Sequence, residues 1–228
     1  MELEVSGDGR VEITPDTSML SVTIQTEARY ASEAVDSNAE NSSMITSSLR
    51  AFADQDIIRE RDIATVGFSI NPVYVEVVNT SSSGVEERTR RLDGYRVLNQ
   101  LSVKIRDPEA TGEVLDAIST VSESSTAIIN VEGIRFFKDD IHEDENEAIA
   151  RAIGNARETA QTIATEIGAT LGFVKEFSMD VIGMPLGREL QFPAMSMMRS
   201  TPTTISVGTY QIQRSVQLKY NALHAQTE

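Results

Sequence analysis

Between Ile149 and Ile167 the chain carries Ile149, Ala152, Ile153, Ala156, Ala160, Ile163, Ala164 and Ile167 at the three- and four-residue spacing of one helix face. Four of those residues are alanine, so whatever the helix packs on can come unusually close. Acidic residues crowd its expected start, near Asp140 to Asp144, where the positive end of the helix dipole favours them. Gly168 is the expected left-handed stop. One long, small-faced helix of this kind needs a flat partner, and the rest of the sequence supplies strands.

Leu20, Val22, Ile24 and Thr26 share one face of an extended segment, while Ser21, Thr23 and Gln25 share the other. Residues 3–13 and 19–28 read as a strand pair joined around Pro15-Asp16, and a helix follows over roughly 31–53. Its stripe of Ala31, Ala34, Val35, Ile45, Leu49 and Phe52 is interrupted by Asn38 and Ser42. Ile57-Ile58 and Thr65 to Val78 read as extended, with a bend or bulge at Asn71-Pro72, because proline donates nothing to a ladder. Residues 79–93 read as a polar hairpin loop. The next strand sets Val97, Leu101, Val103 and Ile105 against Gln100, Ser102 and Lys104. A short helix over 108–121 with Val114, Leu115 and Ile118 inward, a strand from Ile128 to Lys138, and strands over 170–182 and 206–220 complete the pattern. Strand–helix–strand units fall at about 19–70 and 128–182. The fold class is α+β: mainly antiparallel sheets covered on one face by helices, in two α/β halves with one long Ala-rich helix. A single domain over 4–222, made of two interlocked halves, with a polar tail at 223–228, is the expected organisation.

Charge limits the partners. The 35 acidic residues outnumber the 20 basic ones, giving a net charge of −15 in 228 residues. Phosphate backbones require clustered cations, so nucleic acid is excluded as an expected partner, and anionic membrane surfaces are disfavoured for the same reason. No stretch approaches the roughly 20 apolar residues of a spanning helix, so no membrane insertion is expected. Lysine is scarce, as in proteins of high-salt hosts, although an ordinary acidic surface accounts for it more simply. The absence of cysteine removes disulfides, thiol nucleophiles and Cys-based zinc sites. Strand-like residues begin at Glu2, so no leader is expected in this chain: it reads as cytosolic or as a trimmed, exported form.

Candidate chemistry is sparse. His142-Glu143-Asp144-Glu145 lacks the second histidine one turn on that a zinc helix needs and reads as a solvated helix start. The serine runs at 42–43, 47–48, 81–83 and 122–125 form no nucleophile elbow. Gly7-Asp8-Gly9 lacks the third glycine and following helix of a phosphate loop, and reads as a bulge or turn. Met184, Met195, Met197 and Met198 gather in the long connection Gly183 to Pro202. They are weak candidates for a soft-metal site or an oxidant sink; an adaptable loop packing across a subunit boundary is the plainer expectation. Arg214 shares a face with Ile212, Val216 and Leu218, where a charge is costly unless paired, so a buried or intersubunit carboxylate is expected beside it. The expected interface residues are therefore Met195, Met197, Met198 and Arg214. The patterns Asn41-Ser42-Ser43 and Asn79-Thr80-Ser81 match glycosylation acceptors by chance more often than by use.

In order, Gly7-Asp8-Gly9 to Pro15-Asp16-Thr17, Asp62-Ile63-Ala64-Thr65, Gly94-Tyr95-Arg96-Val97, Val103 to Asp107, Gly133-Ile134-Arg135-Phe136, the Ala-periodic helix, Gly168 with Leu171-Gly172, and the strand after Val207-Gly208 resemble the SIMPL domain family over roughly residues 4–222. The resemblance implies an α+β fold, frequent export to the cell envelope, ring- or channel-like oligomers in some members and an association with oxidative stress. It supplies no catalytic residues and no cofactor. This chain departs from it in its acidity and at Asn155-Ala156-Arg157-Glu158, where relatives carry a Lys-containing run. The expectation is a non-enzymatic, self-assembling envelope protein, periplasmic or extracellular, acting as scaffold or stress-related binding module. Alternatives are a small-molecule or metal binder, or an enzyme, with a pocket between the halves, and an adhesin for an external protein.

Overall fold

The computed structural model describes residues 1–80, 86–180, 189–190, 203 and 205–224. Among them lie eight strands, β1 (Glu2–Ile13), β2 (Thr17–Ala28), β3 (Ile63–Thr80), β4 (Glu86–Ile105), β5 (Ile128–Phe137), β6 (Ala169–Asp180), β7 (Glu189–Leu190) and β8 (Tyr210–His224). The helices are α1 (Ala31–Arg50), α2 (Thr111–Ser124) and α3 (His142–Glu166). The strands form a three-stranded sheet, order β1-β8-β6, and a five-stranded sheet, order β3-β4-β2-β5-β7. This is an α+β fold. The chain divides into two compact units, one holding β1, α3, β6 and β8, the other holding the remaining elements.

In the first unit β1 pairs antiparallel with β8 from Glu2↔Asn221 to Ile13↔Tyr210 without interruption. Gly7 and Gly9 therefore sit inside a regular ladder, not at the expected bulge or turn. Their reason is α3. A Cβ on Gly7 would lie 2.5 Å from Ala156 N, and one on Gly9 would lie 2.6 Å from Ala152 N. Ala148, Ala152, Ala156, Ala160 and Ala164, every fourth residue, are buried to completion. Alanine on the helix and glycine on the strand let two backbones approach to where larger side chains would hold them apart. The sequence stripe was broader than the true contact: Ile153 and Ile167 are exposed, and Ala148 belongs to it. Gly168 stops the helix at φ +66°.

In the second unit β2 pairs with β4, not with β1. Alternation identifies a strand but not its neighbour: Leu20, Val22 and Ile24 serve a core with Val103, Ile105 and Phe136, whereas Val11 and Ile13 serve one with Ala148 and Ile212. For the same reason the expected unit at 128–182 is no single layer, since β5 and β6 belong to different sheets. Helix α1 ends at Arg50 rather than 53. Its interrupting Asn38 is buried and donates to Ile24 O at 3.0 Å, tying helix to strand. Ile57 and Ile58 are buried outside any strand. Pro72 makes no bend: it lies within β3 opposite Tyr95, and among the described residues β3 is an edge strand, where proline is tolerated. The irregularities fall instead between Thr65 and Gly67 and between Val73 and Tyr74, where Asp93 is the extra residue of β4. The expected loop over 79–93 is mostly ladder, since β3 runs to Thr80 and β4 starts at Glu86. Its polarity reflects an arm wet on both sides.

Candidate functional site

The arm is where this molecule departs from an ordinary buried sheet. Helix α1 lies over β2 and β4, with α2 beside it, and not over β3. Phe68 and Ile70 pair with Asn99 and Val97, residues buried on the α1 face of β4, so they share that face but lie beyond the helix. Period 2 then carries the row through Pro72, Tyr74, Glu76 and Val78. Phe68 is 54% exposed and Tyr74 57%, with Ile70, Val78 and the cross-strand Leu92 also exposed. On the opposite face of the sheet Gln100 donates to Ser21 Oγ at 3.2 Å and to Glu132 at 3.1 Å.

At the base of the arm a cleft of about 560 Å³ opens between the end of β2 and the Asp93 bulge, bordered by Arg29, Arg91, Asp93 and Tyr95. Its charges are largely matched in place. Arg96 Nε sits 2.6 Å from Glu27 and Arg91 lies 3.9 Å from Asp93.

The residues singled out by sequence are spread across the fold. In the His142–Glu145 run, Asp144 meets Lys138 Nζ at 2.5 Å and Glu145 meets Arg214. Two of its three carboxylates thus hold cations of the protein, and no group of three metal-ligating side chains occurs among the described residues. Arg214 is 5% exposed. Its guanidinium bonds Glu145 on α3 and the carbonyl of Gln213, at 3.0 Å, so the paired carboxylate belongs to the same chain. Ser42 and Ser125 act structurally: Ser42 accepts from Asn99 at 2.9 Å and Ser125 donates to Asn41. Asn41, buried on α1, donates to Ser37 O at 2.7 Å and is closed to glycosylation in the folded chain. Met184, Met195, Met197 and Met198 lie outside the described residues, as do the serines at 81–83.

One charged cluster escaped notice. Asp62, its side chain 4% exposed, receives Arg106 Nε at 2.7 Å and Nη2 at 2.8 Å and the Arg59 backbone N–H at 3.0 Å. Burial pushes its carboxyl up, but the Arg106 hydrogen bonds, the Arg59 N–H and the Arg106 charge outweigh burial and hold it below its usual range. The bidentate pair closes the turn before β3 against the end of β4, a structural duty. The exposed row was missed as well: the alternation of Phe68, Ile70, Pro72 and Tyr74 marks a strand face but not that it is exposed.

An α+β protein of two sheets, with its buried charges Asp62 and Arg214 paired internally and an exposed apolar row on β3, is the class these observations define. The sequence matches the SIMPL family model, described as a protein of unknown function (DUF541), over residues 3–220, and the chain belongs to that family. It is similar to the 26 kDa periplasmic immunogenic proteins of Brucella melitensis biotype 1 and Brucella abortus strain S19. Each is 30% identical over 190 residues, covering 82% of this chain and 70% of the relative. No helix among the described residues is long and apolar enough to cross a membrane.

Proposed function

We propose that this protein is a non-enzymatic, self-assembling component of the cell envelope, serving as a scaffold or stress-related binding module. The observation that carries the reading is the apolar row on β3, a long strand that among the described residues has a ladder partner on one side only. An unpaired strand offers a line of N–H and C=O groups to another chain, and soluble proteins ordinarily blunt such edges. Apolar side chains along it make the cost of leaving it open larger. The envelope assignment rests on the relatives, which are named periplasmic. Absolute mass by light scattering after size exclusion, in low and high salt, tests assembly. A discrete oligomer is the expected result, favoured by salt because copies of charge −15 repel. A monomer in both conditions refutes the reading.

A further inference from the structure

We infer that two copies meet by antiparallel pairing of β3 with β3, centred on Tyr74, an inference that rests on the self-assembly reading above. The other sheet edges are less fit for a ladder. On β1, Asn155 Nδ2 donates to Asp8 O and Arg151 Nη1 to Arg10 O, both at 2.6 Å. These carbonyls are two residues apart on an edge strand and so point the same way; helix side chains engage them. Strand β6 exposes Phe173 and Phe177, but its register shifts twice, between Leu171 and Val174 and between Val174 and Glu176, and a bulged edge is a poor template. The far edge of the five-stranded sheet carries β7 against β5. Strand β3 also pairs with two register shifts, but its own extra residue is Val66, before the stretch in question, and at Val73/Tyr74 the extra residue is Asp93 of β4. Strand β3 itself therefore runs without an inserted residue from Gly67 to Thr80, whereas both shifts of β6 insert residues on β6.

The occupant is a second copy because the row complements itself. With Tyr74 on the two-fold axis, Ile70 faces Val78 and Pro72 faces Glu76, while on the other face Val73 meets Val75. Apolar residues then meet apolar ones at the centre (Tyr74 with Tyr74, Val73 with Val75) and at Ile70 with Val78, Asn71 faces Val77, and the two Glu76 carboxylates stay apart. Moving the centre to Glu76 would set like charges opposite, which is destabilising. Pro72 forfeits one possible donor, a loss edge strands tolerate.

Area decides between pairing edges and merely stacking faces. An aromatic side chain buries 150–250 Å² in full, so half-exposed Phe68 and Tyr74 together offer ~150–250 Å² per copy. If Ile70, Val78 and Leu92 add a similar amount, the row totals ~600–1,000 Å² over two copies, below the ~1,200 Å² at which specific interfaces begin. The backbone ladder and the flanking side chains must supply the rest, and only edge pairing recruits them.

The chain has no cysteine, so one introduced thiol reports one contact. Directly opposed residues place their Cβ atoms about 4.5–5.5 Å apart, near disulfide range. Tyr74→Cys should give a covalent dimer as the main species under mild oxidation, whereas Tyr30→Cys, equally exposed but off the strand, should not. Mixing Ile70→Cys with Val78→Cys should crosslink the two variants, which keeps the test open if Tyr74→Cys folds poorly. Ile70→Lys should weaken association at least tenfold with an unchanged circular dichroism spectrum. If the wild type forms oligomers but neither Tyr74→Cys nor the mixture of Ile70→Cys with Val78→Cys crosslinks, or Ile70→Lys leaves association unchanged, the β3 pairing is overturned and self-assembly stands. A monomeric wild type overturns both.

Discussion

Two identical substitutions in the α3 unit should move stability in opposite directions. Gly9→Ala adds a methyl 2.6 Å from Ala152 N and 2.9 Å from the Ala148 carbonyl carbon. Both are backbone atoms of a 25-residue helix, so no side chain can rotate away; the helix or the strand must move. Overpacking of this kind costs typically ~1–3 kcal/mol, occasionally more, and contact with helix backbone that cannot turn aside puts Gly9→Ala at about 3 kcal/mol. For a chain of this size each kcal/mol shifts Tm by roughly 2–4 °C, so a fall of about 6–12 °C is expected.

Gly154→Ala is the counterpart. Gly154 lies on α3, and a Cβ there meets nothing within 4 Å. Relative to alanine, glycine in a helix interior costs about 1 kcal/mol, so this substitution should raise Tm by roughly 2–4 °C. Calorimetry on both variants beside wild type, with urea melts to compare m values, reads the pair. A Gly9→Ala variant within about 0.5 kcal/mol of wild type would mean the helix is not seated on the strand as described. A destabilised Gly154→Ala would mean that its outer face is covered.

Arg214→Met removes one partner of a largely buried ion pair and should cost about 2–4 kcal/mol by urea melt, less than the deepest pairs because Glu145 retains some solvent contact. Adding Glu145→Leu should restore most of that loss; a single variant as stable as wild type would show the pair to be dispensable. Asp62→Asn should cost about 1–3 kcal/mol near neutral pH, the usual range for a lost charge-assisted hydrogen bond. Because the folded carboxyl is held below its unfolded value of about 4, its contribution is full above that pH and is lost as pH falls through the lower, folded value. The gap between wild type and Asp62→Asn in acid melts should therefore narrow below about pH 4; a gap that widens with acid would reverse the assigned shift.

What could be read from residues alone tracks how local each interaction is. The α3 stripe, its Gly168 stop and the inward faces of β4 and α2 depend on periods of two and 3.6 within one segment, and they are legible. The neighbour of β1 is not, because β8 lies some 200 residues away and nothing in Val5 to Ile13 distinguishes it from β2. Gly7 and Gly9 were visible as glycines, but their purpose requires knowing that Ala148, Ala152 and Ala156 lie above them. The same holds for Asp62 and Arg106, which stand 44 positions apart and look like ordinary surface charges until the turn before β3 brings them together. Several segments that carry the family resemblance contain such positions: the glycines under α3, Asp62 at its turn, Arg106 at the end of β4, and Gly94, where a Cβ would lie 2.5 Å from the Ala28 carbonyl oxygen. Residues that hold backbones together identify a fold without naming a chemistry. The β3 row carries the opposite information. Phe68, Ile70 and Tyr74 alternate as any half-buried strand does, and only the placement of α1 over β2 and β4 reveals that, among the described residues, the helix of this sheet stops short of them.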